Sequence, residues 1–272
     1  NKPKYVRAHK QHLFLSYGSS VVHSDLGFPY KYSAIGGAAE IAMGDTITGM
    51  LVLPGSATTA ALAIICRNVS NILYGTSVSN WNLVNYSVST GALPYTVKNL
   101  NQPMMLDDSG VFALSASLDY GNFSSASITE RILTFIEQHR PYAWNSGLNH
   151  IKNQYRIFYS DGWALYVTVV NGKVLGVMPI FMPIYANVTW ESTLTTGNTL
   201  MLIGGSDGHV HEMDIGTSFD GEPILFSMTL NWDAMKNSRV LKRFRKASFE
   251  FSGGSYASLY FAYSLGYSST EY

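Results

Sequence analysis

The chain has 272 residues, 46% of them apolar and 13% charged, with 18 basic side chains against 18 acidic ones. This excludes an intrinsically disordered chain, and a net charge of zero leaves any attraction for a polyanion to local clusters. The single cysteine, Cys66, excludes an intrachain disulfide and a multi-cysteine zinc site.

Cys66 follows Ile64 and Ile65, which predicts a buried, unreactive thiol. The longest apolar run, Val174 to Tyr185, has 12 residues broken by Pro179 and Pro183, too short to cross a bilayer. The chain opens on Asn1 without a signal-peptide pattern and reads as a piece of a longer protein.

In chain order, the first predicted hairpin runs from Leu13 to Gly18 and returns over Val21–Asp25. Ile72-Leu73-Tyr74-Gly75 follows. The pattern of an apolar run, a small polar turn with glycine and a second apolar run recurs at Met105–Leu114, Ile157–Tyr166 and Leu202–His211. Glycine supplies the positive φ that tight hairpin turns need, and Asp or Ser tolerates the neighbouring position. Gly110, Gly162 and Gly208 succeed one another at 52 and 46 residues, and Gly18 precedes Gly110 by 92. A period of about 46 residues with several strands in each predicts an all-β chain folded as a β-propeller of roughly five or six degenerate blades. A pair of β-sandwiches is the competing arrangement.

One helix is expected as an insertion. Ser127-Ile128-Thr129-Glu130 is a capping box, Ile128, Ile132, Phe135 and Ile136 share a helical face, and Pro141 follows. The texture changes after about Asp220. Glu222–Asn231 reads as a strand. A β-hairpin over Ala247–Phe251 and Ala257–Tyr263 turns at Gly253-Gly254. Residues 1–230 are therefore expected as the propeller region. Residues 231–272 form a basic segment plus hairpin, either a last blade or the start of another domain.

Lys236, Arg239, Lys242, Arg243, Arg245 and Lys246 place six cations in 11 residues. Repeated around a ring, such a stripe would hold DNA through its phosphates without reading sequence; a solvated face is the plainer alternative. His209 and His211 flank Val210 on one strand face and are weak metal candidates, with Asp207 or Asp214 as a third ligand. Their spacing is no recognised metal signature, and two polar side chains on an exposed hairpin are expected. Ser160-Asp161-Gly162-Trp163 has the residues of a sialidase Asp-box but not its spacing. No G-x-S-x-G, Walker loop or dinucleotide fingerprint occurs. Asp107 and Asp108 sit in a predicted turn. No catalytic residue, enzymatic activity or cofactor is expected.

Several stretches carry a resemblance: His23–Tyr30, Tyr74–Ser77 with Trp81–Val84, Leu106–Gly110, Tyr120–Phe123 and Phe219–Ile224. Over about residues 5 to 250 the chain resembles structural proteins of tailed-phage virions. It is similar to the propeller-bearing tail nozzle or hub proteins of short-tailed phages. The resemblance implies a homo-oligomeric ring that continues the DNA channel in the phage tail, beside portal or adaptor proteins and tail fibres or spikes, with backbone contacts to packaged DNA. A receptor-binding, glycan-binding or fibre-attachment module is the alternative.

Overall fold

A computed structural model describes residues 2–56, 59–100, 102–113, 132–171, 173–233, 237, 239–240, 242–243, 245–250 and 259–265. Within them, five antiparallel meanders follow one another along the chain. Blade 1 holds β1 (Val6–His9), β2 (His12–Tyr17), β3 (Ser20–His23) and β4 (Ala39–Ala42). Blade 2 holds β5 (Ile47–Val52), β6 (Leu62–Cys66), β7 (Ser70–Tyr74) and β8 (Asn82–Ser87). Blade 3 is three-stranded, with β9 (Lys98–Leu100), β10 (Gln102–Asp107) and β11 (Gly110–Ala113). Blade 4 holds β12 (Ala143–Asn149), β13 (Gln154–Tyr159), β14 (Trp163–Val170) and β15 (Lys173–Phe181). Blade 5 holds β16 (Ala186–Thr193), β17 (Thr199–Gly205) and β18 (Val210–Glu212). A short hairpin, β19 (Ser218–Phe219) with β20 (Glu222–Pro223), comes next.

The packing distinguishes a propeller from two sandwiches. Side chains alternate across a strand, and here each sheet uses that alternation to face two neighbours. On β6, Leu62, Ile64 and Cys66 pack with Phe14 and Val21 of blade 1, while Ala63 and Ile65 pack with Met105 and Phe112 of blade 3. On β13, Tyr155, Ile157 and Tyr159 meet blade 3, whereas Phe158 meets Met201 and Ile203 of blade 5. Four cores thus join five blades in series. Strand β6 is buried along its whole length, but β2 and β17 alternate, because each end blade buries one face.

The first strands converge. β12 lies against both β9 and β16, and β1 against β5. Lys98 of β9 reaches Glu191 of β16 at 2.9 Å, skipping a blade. The rings of Tyr5 and Tyr95, which enter blades 1 and 3, stand 5.4 Å apart. The fold is accordingly an all-β propeller array.

The repeated glycines occupy one corner. Gly18, Gly110, Gly162 and Gly208, all at positive φ, turn the second strand of a blade into the third. In blade 2 that corner is Arg67-Asn68-Val69, so the glycine period skips it. Asp45 Oδ2 there accepts from the Asn68 backbone N–H at 2.8 Å. Gly75 lies instead at the turn from β7 to β8.

Helix α1 (Leu133–His139) occurs where the insertion was expected and buries Ile136 against blades 3 and 4. The capping box Ser127–Glu130 lies outside the described residues. Ile132 has non-helical backbone (φ −119°, ψ 25°), so the helix begins after it.

The contacts divide the chain into two compact units, Asn1–Pro223 and Ile224–Tyr272. The strand expected over Glu222–Asn231 is a correction: only Glu222–Pro223 is paired, at the end of the first unit, and 224–231 carry no ladder. The alternating Phe226, Met228 and Leu230 are exposed, and among the described residues no strand pairs with this stretch to bury one face. Of the expected hairpin, 247–250 and 259–265 carry no regular structure and the residues between lie outside the described set. Phe249 and Phe261 nevertheless stack at 4.2 Å.

Candidate functional site

The cations anticipated as a stripe lie in the second unit. Arg239, Arg243, Arg245 and Lys246 are exposed, Lys242 is half-buried, and Lys236 is outside the described residues. The described ones occupy no strand, so they form no regular face. Their local order comes from Asn237, whose side-chain oxygen accepts from the Arg239 backbone N–H at 2.9 Å and whose carbonyl accepts from Lys242 Nζ.

His209 and His211 do come together. His209 Nδ1 lies 3.1 Å and His211 Nε2 3.0 Å from the same oxygen, Oδ2 of Asp207. Oδ1 of Asp207 accepts from the His209 backbone N–H at 3.1 Å. That backbone donor, followed by the two imidazoles, holds the Asp207 carboxyl below its ordinary range. Gly205 makes room: a Cβ there would stand 2.3 Å from Asp207 Oδ1 and 3.1 Å from His211 Cδ2. Among the described residues no group of three or more His, Cys, Asp or Glu is arranged to hold a metal ion. The triad is a hydrogen-bonded hairpin cap. Asp214, the other suggested ligand, faces Arg156 at 2.7 Å instead.

The turn at Ser160–Trp163 has a role that its sequence did not disclose. Asp161 Oδ2 lies 2.5 Å from His139 Nδ1 of α1, while its Oδ1 accepts from the Trp163 backbone N–H. Phe135, His139, Tyr159 and Trp163 pack their rings around this pair. Sequence reasoning missed it because the partners are separated by 22 residues and neither stands in a motif. Asp107 and Asp108 also serve contacts between elements. Arg67 of blade 2 donates to both Asp108 oxygens at 2.7 and 2.8 Å, and Arg140 to the Asp108 carbonyl at 2.6 Å. Asp107 is buried, which raises its carboxyl above the ordinary value. Cys66 is buried too, and its thiol is pushed up to about 11, chiefly by desolvation.

Near the convergence of first strands, Lys98 and Glu191 pair, Thr189 donates to the Ser146 carbonyl at 2.7 Å, and Ser146 donates to the Tyr95 carbonyl at 2.8 Å. These bonds tie blades 3, 4 and 5 together.

The outward surface is the richest feature. The connection from β3 to β4 exposes Leu26, Phe28, Tyr30, Tyr32 and Ile35. Its shape is fixed from within. Asp25 Oδ1 accepts from Ser33 N–H, Asp25 N–H donates to the Lys31 carbonyl, and Gly36 approaches so closely that a Cβ would lie 2.0 Å from Asp25 Oδ2. Blades 4 and 5 expose Trp144 and Trp190.

No family model and no curated protein matches the chain. Solved structures align with the chain at low identity. A chain from a complex of S. cerevisiae Dbp5 bound to Nup159, Gle1, IP6 and ADP aligns over 78% of this chain and 60% of its own, at 10% identity and TM-score 0.46. A chain from the complex of BBS1N with ARL6DN aligns over 75% and 62%, at 10% identity and TM-score 0.43. A luciferin-regenerating enzyme aligns over 84% and 74%, at 12% identity and TM-score 0.38. The chain spans about three fifths of the first two.

Among the described residues no helix is long and apolar enough to cross a membrane.

Proposed function

We propose that the chain is a structural component of a tailed-phage virion, a tail nozzle or hub protein whose copies form a ring continuing the DNA channel. The observation that carries this reading is a rigid blade array with large apolar side chains on its outside. Trp144, Val188, Trp190 and Val210 project from strands or strand ends of blades 4 and 5 that are held by their own cores. Exposed apolar groups gathered on a fixed scaffold suit burial against other protein. The resemblance at His23–Tyr30 and Phe219–Ile224 supplies the virion context. Neighbours on this reading are further copies, portal or adaptor proteins, and fibres or spikes.

Locating the chain by electron microscopy of intact particles tests the proposal. A symmetric ring below the portal supports it, and absence from the particle overturns it. DNA contact belongs to the same reading through Lys236, Arg239, Lys242, Arg243, Arg245 and Lys246. Binding to duplex DNA should then weaken with salt by a log–log slope of about −0.9 for each phosphate engaged. Replacing Lys242, Arg243 and Arg245 by Ala should flatten that slope; an unchanged slope excludes them as contacts.

A receptor-binding module is the second reading, favoured by the braced loop that presents Phe28, Tyr30 and Tyr32. It predicts glycan or host-surface binding that a Tyr30→Ala variant loses.

A further inference from the structure

Three imidazoles lie beneath the surface where blade 1 meets blade 2. His9, His12 and His23 are 5%, 3% and 0% exposed. His9 and His12 pair across β1 and β2, and His23 lies opposite Phe14 on β3. Their rings surround the indole of Trp81, the residue before β8, with centroids 5.7 Å (His12), 5.9 Å (His23) and 6.3 Å (His9) from it.

The hydrogen bonds fix the protons. His12 Nδ1 and His23 Nδ1 approach the Ser24 carbonyl at 2.6 and 3.1 Å, and a carbonyl only accepts, so both nitrogens carry hydrogen. The lone pair of His23 is therefore on Nε2, where the Trp81 indole N–H donates at 3.2 Å. Nε2 of His9 and of His12 are buried without a hydrogen-bond partner. We propose that the Trp81–His23 hydrogen bond, with His9 and His12 beside it, is an acid-sensitive latch holding the first blade against the second.

Protonation of His23 at Nε2 replaces its only free acceptor with a donor. Two N–H groups then face each other and the bond between blades is lost. The surroundings offer a cation little. Arg7, on the same edge strand, donates to the Met50 carbonyl, and Lys10 adds positive charge from the turn. Strands β5 to β8 contain no Asp or Glu; their titratable side chains are Cys66, Tyr74 and Tyr86. Glu40 lies opposite Val22, on the other face of the blade, and Asp45 binds Asn68 in the turn between β6 and β7. Asp25 is a carboxylate that favours the His23 cation, less strongly than burial opposes it, and its Oδ1 is already taken by Ser33.

Burial lowers the His23 pKa, and burial first, then Lys10 and His12, lowers that of His9 to about 4. A depressed imidazole binds more protons in the open state. The latch is thus fully closed above the ordinary value of about 6.5 and weakens as pH falls towards about 4. At pH 5 the shift of His9 alone favours opening about 20-fold relative to neutral pH.

Hydrogen exchange of the whole chain, corrected for the intrinsic pH dependence, reads this out at about pH 7 and about pH 5. Peptides covering Val6–His23 and Gly75–Ser87 should lose roughly tenfold protection or more at the lower pH, with those of β13 and β14 unchanged. Equal loss in all blades, or none, overturns the latch. His23→Gln retains an acceptor that cannot titrate and should shrink the acid response; a response equal to the parent's overturns the assignment to His23. Should that variant not fold, imidazole and indole NMR of the parent decides. The Trp81 N–H resonance must shift in the same step as His23, and independent titration refutes the proposal.

Discussion

Arg156 is completely buried, although it is a cation. Its guanidinium donates to Gln154 Oε1 at 2.8 Å and to Asp214 Oδ2 at 2.7 Å, and lies 4.2 Å over the Tyr166 ring. Asp214 follows blade 5, so the pair joins blades 4 and 5 beside the Met201–Phe158 core. Removing one partner of such a pair strands the other charge, which costs about 3–5 kcal/mol, whereas an apolar replacement of similar volume costs little. Asp214→Ala should therefore lower urea stability by about 3 kcal/mol, and the double replacement Arg156→Met, Asp214→Leu by much less. Similar losses would mean that the pair itself contributes net stability. Burial alone would raise the Asp214 pKa, but Arg156 and Lys152 together pull it below its ordinary 3.8. A depressed carboxyl loses its contribution only as pH falls through and below that value. The junction of blades 4 and 5 should hold at pH 5, where the imidazole latch between blades 1 and 2 is already weakened. Nothing local marks Arg156: it reads as an ordinary cation between Tyr155 and Ile157, and its partner is 58 residues away.

Among elements, helix α1 is docked through a polar contact set in an aromatic box. His139 and Asp161 are both mostly buried, and the contact joins the last turn of α1 to the hairpin of β13 and β14. Asp161→Asn keeps the shape but removes the charge. It should cost about 1–2 kcal/mol, the difference between a charge-assisted and a neutral hydrogen bond. Exchange protection over Leu133–His139 should fall while β13 remains protected; unchanged protection would show that the aromatic rings alone dock the helix. The hairpins themselves were legible in the sequence, since turn chemistry is local: Gly18, Gly110, Gly162 and Gly208 each supply positive φ where the chain reverses. Blade 2 shows where local reading stops. Asn68 turns that corner with Asp45, 23 residues earlier, as its support. Helix α1 was legible through Phe135 and Ile136, but its docking was not, because the Asp161 turn looks the same whether or not His139 is present.

At the scale of the molecule, the repeat was legible because a blade is the unit that recurs, and four alternating cores follow once five blades are stacked. Which outer surface meets a partner was not legible, since exposed and buried apolar residues look alike in a sequence. Blade 5 makes the distinction. Val188, Gly204 and Val210 pair across its sheet, as do Trp190, Leu202 and Glu212. These two rows lie on the face opposite Met201 and Ile203, and Val188, Trp190 and Val210 are 60%, 53% and 71% exposed. If copies assemble into a ring, this is the face expected to meet the next copy. A head-to-tail contact closes into a ring when its rotation allows. Burying apolar side chains of this size contributes about 1.5–3 kcal/mol each. A Trp190→Ser, Val210→Ser double variant should therefore shift self-association to at least roughly tenfold higher concentration in sedimentation. Its urea midpoint should stay near the parent's, because neither residue belongs to an inter-blade core. A lowered midpoint with unchanged assembly would assign the face to packing within the chain, and an unchanged assembly at an unchanged midpoint would move the ring contact to another blade.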